Sequence, residues 1–132
     1  MGGGIGRVTK YVLDLYFDEI DLLDYSDVQI EQAKRNVPFV ARFYNCGLQD
    51  FVFEKNRSYD CIWVQGVALY LKDADLLRVL KECASSLEES NKQSMIVIKE
   101  NYFDVGEEGD SGGSQFVIDG TDHSLIRNIE HF

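Results

Sequence analysis

Along the whole chain, short apolar runs alternate with stretches whose apolar residues recur at helical spacing, and this alternation constrains the fold more than any other feature. It is the pattern of a parallel sheet whose strands are joined by crossover helices. The runs Glu19–Asp24 (EIDLLD), Val40–Cys46 (VARFYNC), Tyr59–Val64 (YDCIWV) and Met95–Lys99 (MIVIK) read as strands. Helices are expected at Gly6–Tyr16, Ser26–Asn36 and Asp73–Leu87, with a last one from Ser124 to Phe132. Ser26 followed by Gln29 makes a reciprocal cap for the second of these, and Pro38 stops it. The stretch Glu107–Ser114 (EEGDSGGS), acidic and rich in Gly and Ser, reads as a mobile loop. A chain of 132 residues, 45% of them hydrophobic, is sized for a single α/β domain.

Several classes are set aside at this point. No apolar run approaches the roughly 18 residues that a membrane span needs, and the chain opens on glycines rather than on a basic and then apolar leader. A soluble protein of the cytoplasm or nucleus is expected. The formal charge of -10 speaks against a nucleic-acid partner, because phosphate binding relies on clustered Lys and Arg. It favours a basic peptide or protein, although acidity also serves solubility alone. Cys46, Cys61 and Cys83 include no C-x-x-C pair to hold zinc, so reduced structural thiols and no metal are expected.

In open α/β sheets the ligand sits beyond the carboxyl ends of the strands, which directs attention to the residues just after each strand. The opening Gly2-Gly3-Gly4-Ile5-Gly6-Arg7 allows a tight turn whose backbone N–H groups approach a ligand at a helix N-terminus. A flexible tail is the other reading. Its G-x-G-x-G spacing differs from the G-x-G-x-x-G of dinucleotide cradles, which makes a dehydrogenase the poorer choice. Asp24, at the tip of a strand, is placed to accept both hydroxyls of a ribose, or else to favour the start of the following helix. In Gly47-Leu48-Gln49-Asp50 the Leu suits an adenine face, though the loop by itself is a turn. Gln65 and Gly66 follow the third run, and Glu100, Asn101 and Tyr102 the last.

The segments GGGIGRVTK, EIDLLD, NCGLQDF, YDCIWVQ and IVIKEN and the triplet D-H-S occur in one order, and together they resemble the eukaryotic α-N-terminal protein methyltransferases. The likeness runs from Gly2 to Arg127. It implies a Rossmann-like class I methyltransferase fold, mostly parallel sheet with flanking helices, with S-adenosylmethionine as cofactor and S-adenosylhomocysteine as product. The implied substrates are protein N-termini, basic ones that read X-Pro-Lys or X-Pro-Arg. By this resemblance Gly2, Gly4, Gly6 and Arg7 would receive the methionine moiety, Arg7 by pairing with its carboxylate. Asp24 with Tyr25 and Ser26 would hold the ribose, Leu48 and Gln49 would frame the adenine, and Gln65 would touch the cofactor from the far side. Asn101 would bond the substrate backbone, and Asp122 would take the proton of the reacting amine, with Tyr70 close by.

Three departures from the family pattern bear on what to expect. Gly66 stands where the family has Trp, and Tyr70 where it has His. Met1 falls where the first, central strand should just have ended, and that strand, the preceding helices and the terminal antiparallel strand pair are expected to be missing. Two neighbouring strands would then lack partners, so marginal folding or a changed strand order is expected. A small-molecule methyltransferase of the same fold, and a non-catalytic interaction protein, remain the alternative functions; oligomeric state is left open.

Overall fold

The computed structural model describes residues 1–103 and 116–128. Arg7–Tyr11 forms α1, followed by a 3-10 turn at Leu13–Leu15 and strand β1, Asp21–Asp24. Next come α2 (Asp27–Asn36), β2 (Arg42–Asn45), β3 (Cys61–Gln65), α3 (Asp73–Ser85) and β4 (Met95–Lys99). Three short strands close the order, β5 (Tyr102–Phe103), β6 (Phe116–Ile118) and β7 (Leu125–Asn128).

The expected strands and crossover helices are in place, with trimmed ends. Ser26 caps α2 by accepting from the Gln29 N–H, but the cap is not reciprocal as expected, because the Ser26 N–H donates to Asp24 Oδ1; Lys34 and Arg35 fill the last turn, where the helix dipole favours cations. The first helix is shorter than expected. Its cap is Gly6, which offers no side chain, and Val8, Thr9 and Val12 are β-branched, so the helix gives way at Val12.

Strand β1 pairs in parallel with β2, and β3 in parallel with β4. Met1–Gly3 lie between the two pairs: the Met1 ammonium donates to the Trp63 carbonyl at 2.7 Å. The Gln65 N–H donates to the Met1 carbonyl at 3.1 Å, and the Gly3 N–H to the Leu23 carbonyl at 2.9 Å. The order across the sheet is therefore β2, β1, residues 1–3, β3, β4, and the expected change of strand order does not occur. Burial pushes the Met1 ammonium down to about 6. A cleft of about 460 Å³ at the amino ends of β1 and β3 is lined by Asp21, Arg57, Tyr59 and Trp63 among others.

Two apolar clusters form the core, one around β1 and α2 and one around β3 and α3. Leu22 of β1 packs with Ile30, Ala33 and Val37, while Ile62 and Val64 of β3 pack with Leu76, Val79 and Cys83 of α3. The spacings within α2 and α3 are those of a single helical face turned to the core.

The closing segment corrects the sequence reading. Ser124–Phe132, expected as a helix, contains strand β7, which pairs in parallel with β5 and antiparallel with β6. Leu125, Ile126 and Ile129 fit a helical period, yet a short apolar run cannot distinguish helix from strand by period alone. Here long-range pairing decides. The loop expected at Glu107–Ser114 lies outside the described residues.

Candidate functional site

Residues 1–3 form the point at which the sheet changes direction, since β1 and β2 extend to one side and β3 and β4 to the other. Ligands of open α/β sheets bind in the crevice at such a point, beyond the strands' carboxyl ends. A cavity of about 540 Å³ lies there, lined by Gly2, Gly4, Asp24, Tyr25, Ser26, Gln29, Gly47, Leu48, Gln49, Gln65, Gly66, Val67, Tyr70 and Leu71. Small-molecule sites commonly fall at about 300–1,000 Å³. The 460 Å³ cleft lies at the opposite, amino ends of the strands, where this fold places no ligand.

The floor of the cavity is the glycine turn. Gly2, Gly4 and Gly6 all have positive φ, at 72°, 52° and 86°. At Gly2 a Cβ would sit 2.2 Å from the Gln65 carbonyl oxygen, and at Gly3 one would sit 2.5 Å from Leu22 Cγ. The turn therefore passes so close to β1 and β3 that side chains have no room. Asp24 holds it from the side. One carboxylate oxygen accepts from the Gly4 N–H at 2.8 Å, and the other from the Ser26 N–H at 2.9 Å. Asp24 is buried and lines the cavity; each of its oxygens retains a second lone-pair direction.

On the far wall, Leu48 is buried, and the Gln49 carbonyl accepts from Arg78 Nη2 of α3 at 2.8 Å, fixing the Gly47–Asp50 loop. The Gln65 side-chain oxygen accepts from the Trp63 indole at 3.0 Å, which leaves its NH2 end as the available donor. Glu100 was legible only as a polar residue after a strand. Its Oε1 accepts from the N–H groups of both Val67 and Ala68 at 2.8 Å, so it pins the turn that carries Tyr70.

Tyr70, exposed at the cavity mouth, donates its hydroxyl to Asp122 Oδ2 at 2.8 Å. The Ser124 N–H donates to Asp122 Oδ1 at 3.0 Å. Ser124 first, and Tyr70 after it, hold the Asp122 carboxyl below the usual carboxylate range. The same bond, with some burial, raises the Tyr70 phenol. The structure thus brings together Gly2, Gly4, Asp24, Tyr25, Ser26, Leu48, Gln49, Gln65 and Tyr70 around one cavity. Asp122 joins them through Tyr70. Gly6 and the exposed Arg7 stand just behind the turn, and Asn101 is exposed beyond β4; none of the three lines the cavity.

A parallel α/β sheet with a glycine turn at its switch point and an acid at the tip of the next strand is the layout of a site for a nucleoside-bearing cofactor. Over residues 1–132 the chain matches the family described as AdoMet dependent proline di-methyltransferase, and it belongs to that family. It is 36% identical over 98% of its length to alpha N-terminal protein methyltransferase 1 of Dictyostelium discoideum, covering 45% of that protein. It is likewise 36% identical over 98% of its length to the human N-terminal Xaa-Pro-Lys N-methyltransferase 1, covering 54% of it. A solved SAM-dependent methyltransferase of Leishmania major superposes with a TM-score of 0.83 at 32% identity, over 98% of this chain and 48% of that one. The chain spans about half the length of the curated relatives it matches.

Proposed function

We propose that this chain carries the methyl-donor site and the proton-accepting pair of an enzyme that transfers methyl groups from S-adenosylmethionine to the α-amine of proteins beginning X-Pro-Lys or X-Pro-Arg. The observation that carries the reading is one cavity lined by a glycine turn, a strand-tip acid and Tyr70, whose hydroxyl reaches out to Asp122 at the mouth. The residues fit the cofactor: Gly2 and Gly4 leave the cavity floor without side chains, and Asp24 is buried with acceptor capacity left for ribose hydroxyls. Leu48 and Gln49 would frame the adenine, Gln65 would donate from the opposite wall, and Arg7 would pair with the methionine carboxylate. When bound, S-adenosylmethionine supplies a methyl group on a sulfonium, open to attack from the side away from sulfur.

The rest falls to the chain's own residues. An unperturbed α-amine titrates near about 7.7–8.0, and only its neutral form attacks. Asp122, anionic at neutral pH, accepts a proton from the amine, while the Tyr70 hydroxyl holds the carboxylate in place. Asn101 bonds the backbone of the substrate. The chain's charge of -10 supports a basic N-terminal tail as partner. The free thiols of Cys46, Cys61 and Cys83 support a reducing compartment, the cytosol or nucleus.

Incubation with S-adenosylmethionine and a peptide beginning Ala-Pro-Lys, read by mass spectrometry, tests the reading. Added methyl groups on the α-amine, and none on the acetylated peptide, are expected; a chain that binds the cofactor yet leaves the peptide unmodified contradicts it. Gly66, at φ 64° with open space around its Cβ position, favours a second reading in which a differently shaped small molecule enters. Methylation of a small amine in place of the peptide would select it.

A further inference from the structure

Arg127 is the largest fully buried side chain among the described residues, 1% exposed, in a strand where the apolar spacing predicts a helix. A buried guanidinium is expensive to desolvate and persists only when its donors are satisfied. Its Nε and Nη2 donate to Asp73 Oδ1 at 3.0 and 2.8 Å, at the first turn of α3. Nη2 also donates to the Leu71 carbonyl at 2.6 Å, and Nη1 to the Ala68 carbonyl at 3.3 Å. The two carbonyls flank Tyr70 in the chain. Tyr70 in turn bonds Asp122, which accepts from the Ser124 N–H directly ahead of β7. The connections therefore form a closed ring: from β7 through Arg127 to the 3-10 turn Ala68–Tyr70, from Tyr70 to Asp122, and back into β7.

We propose that Arg127 is a positioning residue, which sets the separation of Tyr70 and Asp122 by locking the Ala68–Leu71 turn onto β7. The inference rests on the role proposed above for that pair. Without the lock, the turn and the β6–β7 hairpin are free to slide relative to each other, since the Tyr70–Asp122 bond is exposed and weak on its own. Among the described residues, the only strand outside the hairpin that pairs with it is the two-residue β5. The charged groups around the Tyr70 hydroxyl are Asp122 and Asp119 of the hairpin and Glu100 after β4, all acidic, and all raise its phenol.

Arg127→Lys tests the proposal, since lysine keeps the charge but loses the fork that bridges two carbonyls and Asp73. The readout is the Tyr70 phenol titration, followed by NMR with tyrosine labelled at Cζ. The raised phenol is expected to return toward its ordinary value in the variant. Peptide methylation is expected to lose about a hundredfold in kcat with little change in KM, as for a group displaced from reacting distance. In a Tyr70→Phe background the same substitution should add no further loss. Should Arg127→Lys not fold, Asp73→Asn serves in its place, because the Asp73 side chain is 58% exposed and an amide there weakens the anchor of the fork without deleting it; the phenol should move in the same direction. An unchanged Tyr70 titration in a folded variant overturns the proposal, even if the melting temperature falls. Since that titration needs no turnover, an inactive wild-type chain would count against the functional reading and not against this one.

Discussion

At the scale of single residues, chemistry concentrates in the hydrogen bond between Tyr70 and Asp122. Asp122→Asn keeps the shape and removes the proton acceptor. A fall of about 10²–10⁴-fold in kcat is expected, with unchanged binding of S-adenosylhomocysteine because Asp122 does not line the cavity; steady-state kinetics beside calorimetry check both. The pH profile can be derived from the directions of the shifts. Asp122 is held below the usual range, so it is ionised throughout neutral pH, and Tyr70 is held above its usual value, so it stays protonated there. Activity should therefore rise as the substrate amine deprotonates through about 7.7–8.0, with no falling limb below about pH 9. The stabilising share of Asp122 is present above the ordinary carboxylate value and lost as pH falls through its lowered one. Asp24, Leu48 and Gln65 were legible because the carboxyl end of each strand delivers the next residues to the ligand crevice. Arg127 was not, since its partners at Ala68, Leu71 and Asp73 are distant in sequence and the residue shows no local pattern.

At the scale of elements, two glycines with similar φ make a controlled comparison. Gly2 has φ 72° and no room for a Cβ, which would lie 2.2 Å from a backbone oxygen, whereas Gly66 has φ 64° and open space. Gly66→Ala should cost only the left-handed backbone penalty, about 1–2 kcal/mol. Gly2→Ala adds a clash with β3 and should cost clearly more in urea unfolding, and it should abolish cofactor binding; equal costs for the two would show that the turn does not approach β3 as described. The elements that could be read in advance were those specified locally. Helix α2 carries its own cap and stop in Ser26 and Pro38, and α3 its Leu76, Val79 and Cys83 face. Strand β7 could not, because Leu125–Asn128 becomes a strand only by pairing with β5 and β6, and neither has a strong signal of its own.

At the scale of the molecule, a net charge of -10 acts on every approaching partner. If basic N-terminal tails are the substrates, KM for such a peptide should rise with ionic strength while that for an uncharged-tail peptide stays flat, because screening lengths shrink to about 8 Å at 0.15 M salt. Salt-independent KM values for both would remove the electrostatic argument. The sheet itself was largely legible, with its parallel pairs and its acid and glycine turn at the carboxyl ends of the strands. What the sequence did not convey was how the pairs are held: Met1 and Gly3 bridge β1 and β3 through main-chain bonds, and the glycines there mark a close approach without saying to which strands.

Whether these elements assemble a working adenosyl site is tested most directly by thermal unfolding of the 132-residue chain with and without S-adenosylhomocysteine, using NAD as the control ligand. A cooperative transition raised by the adenosyl compound alone is predicted, with about 2.7 kcal/mol gained at a hundred times the dissociation constant. A transition that neither ligand shifts, or that both shift equally, would contradict it.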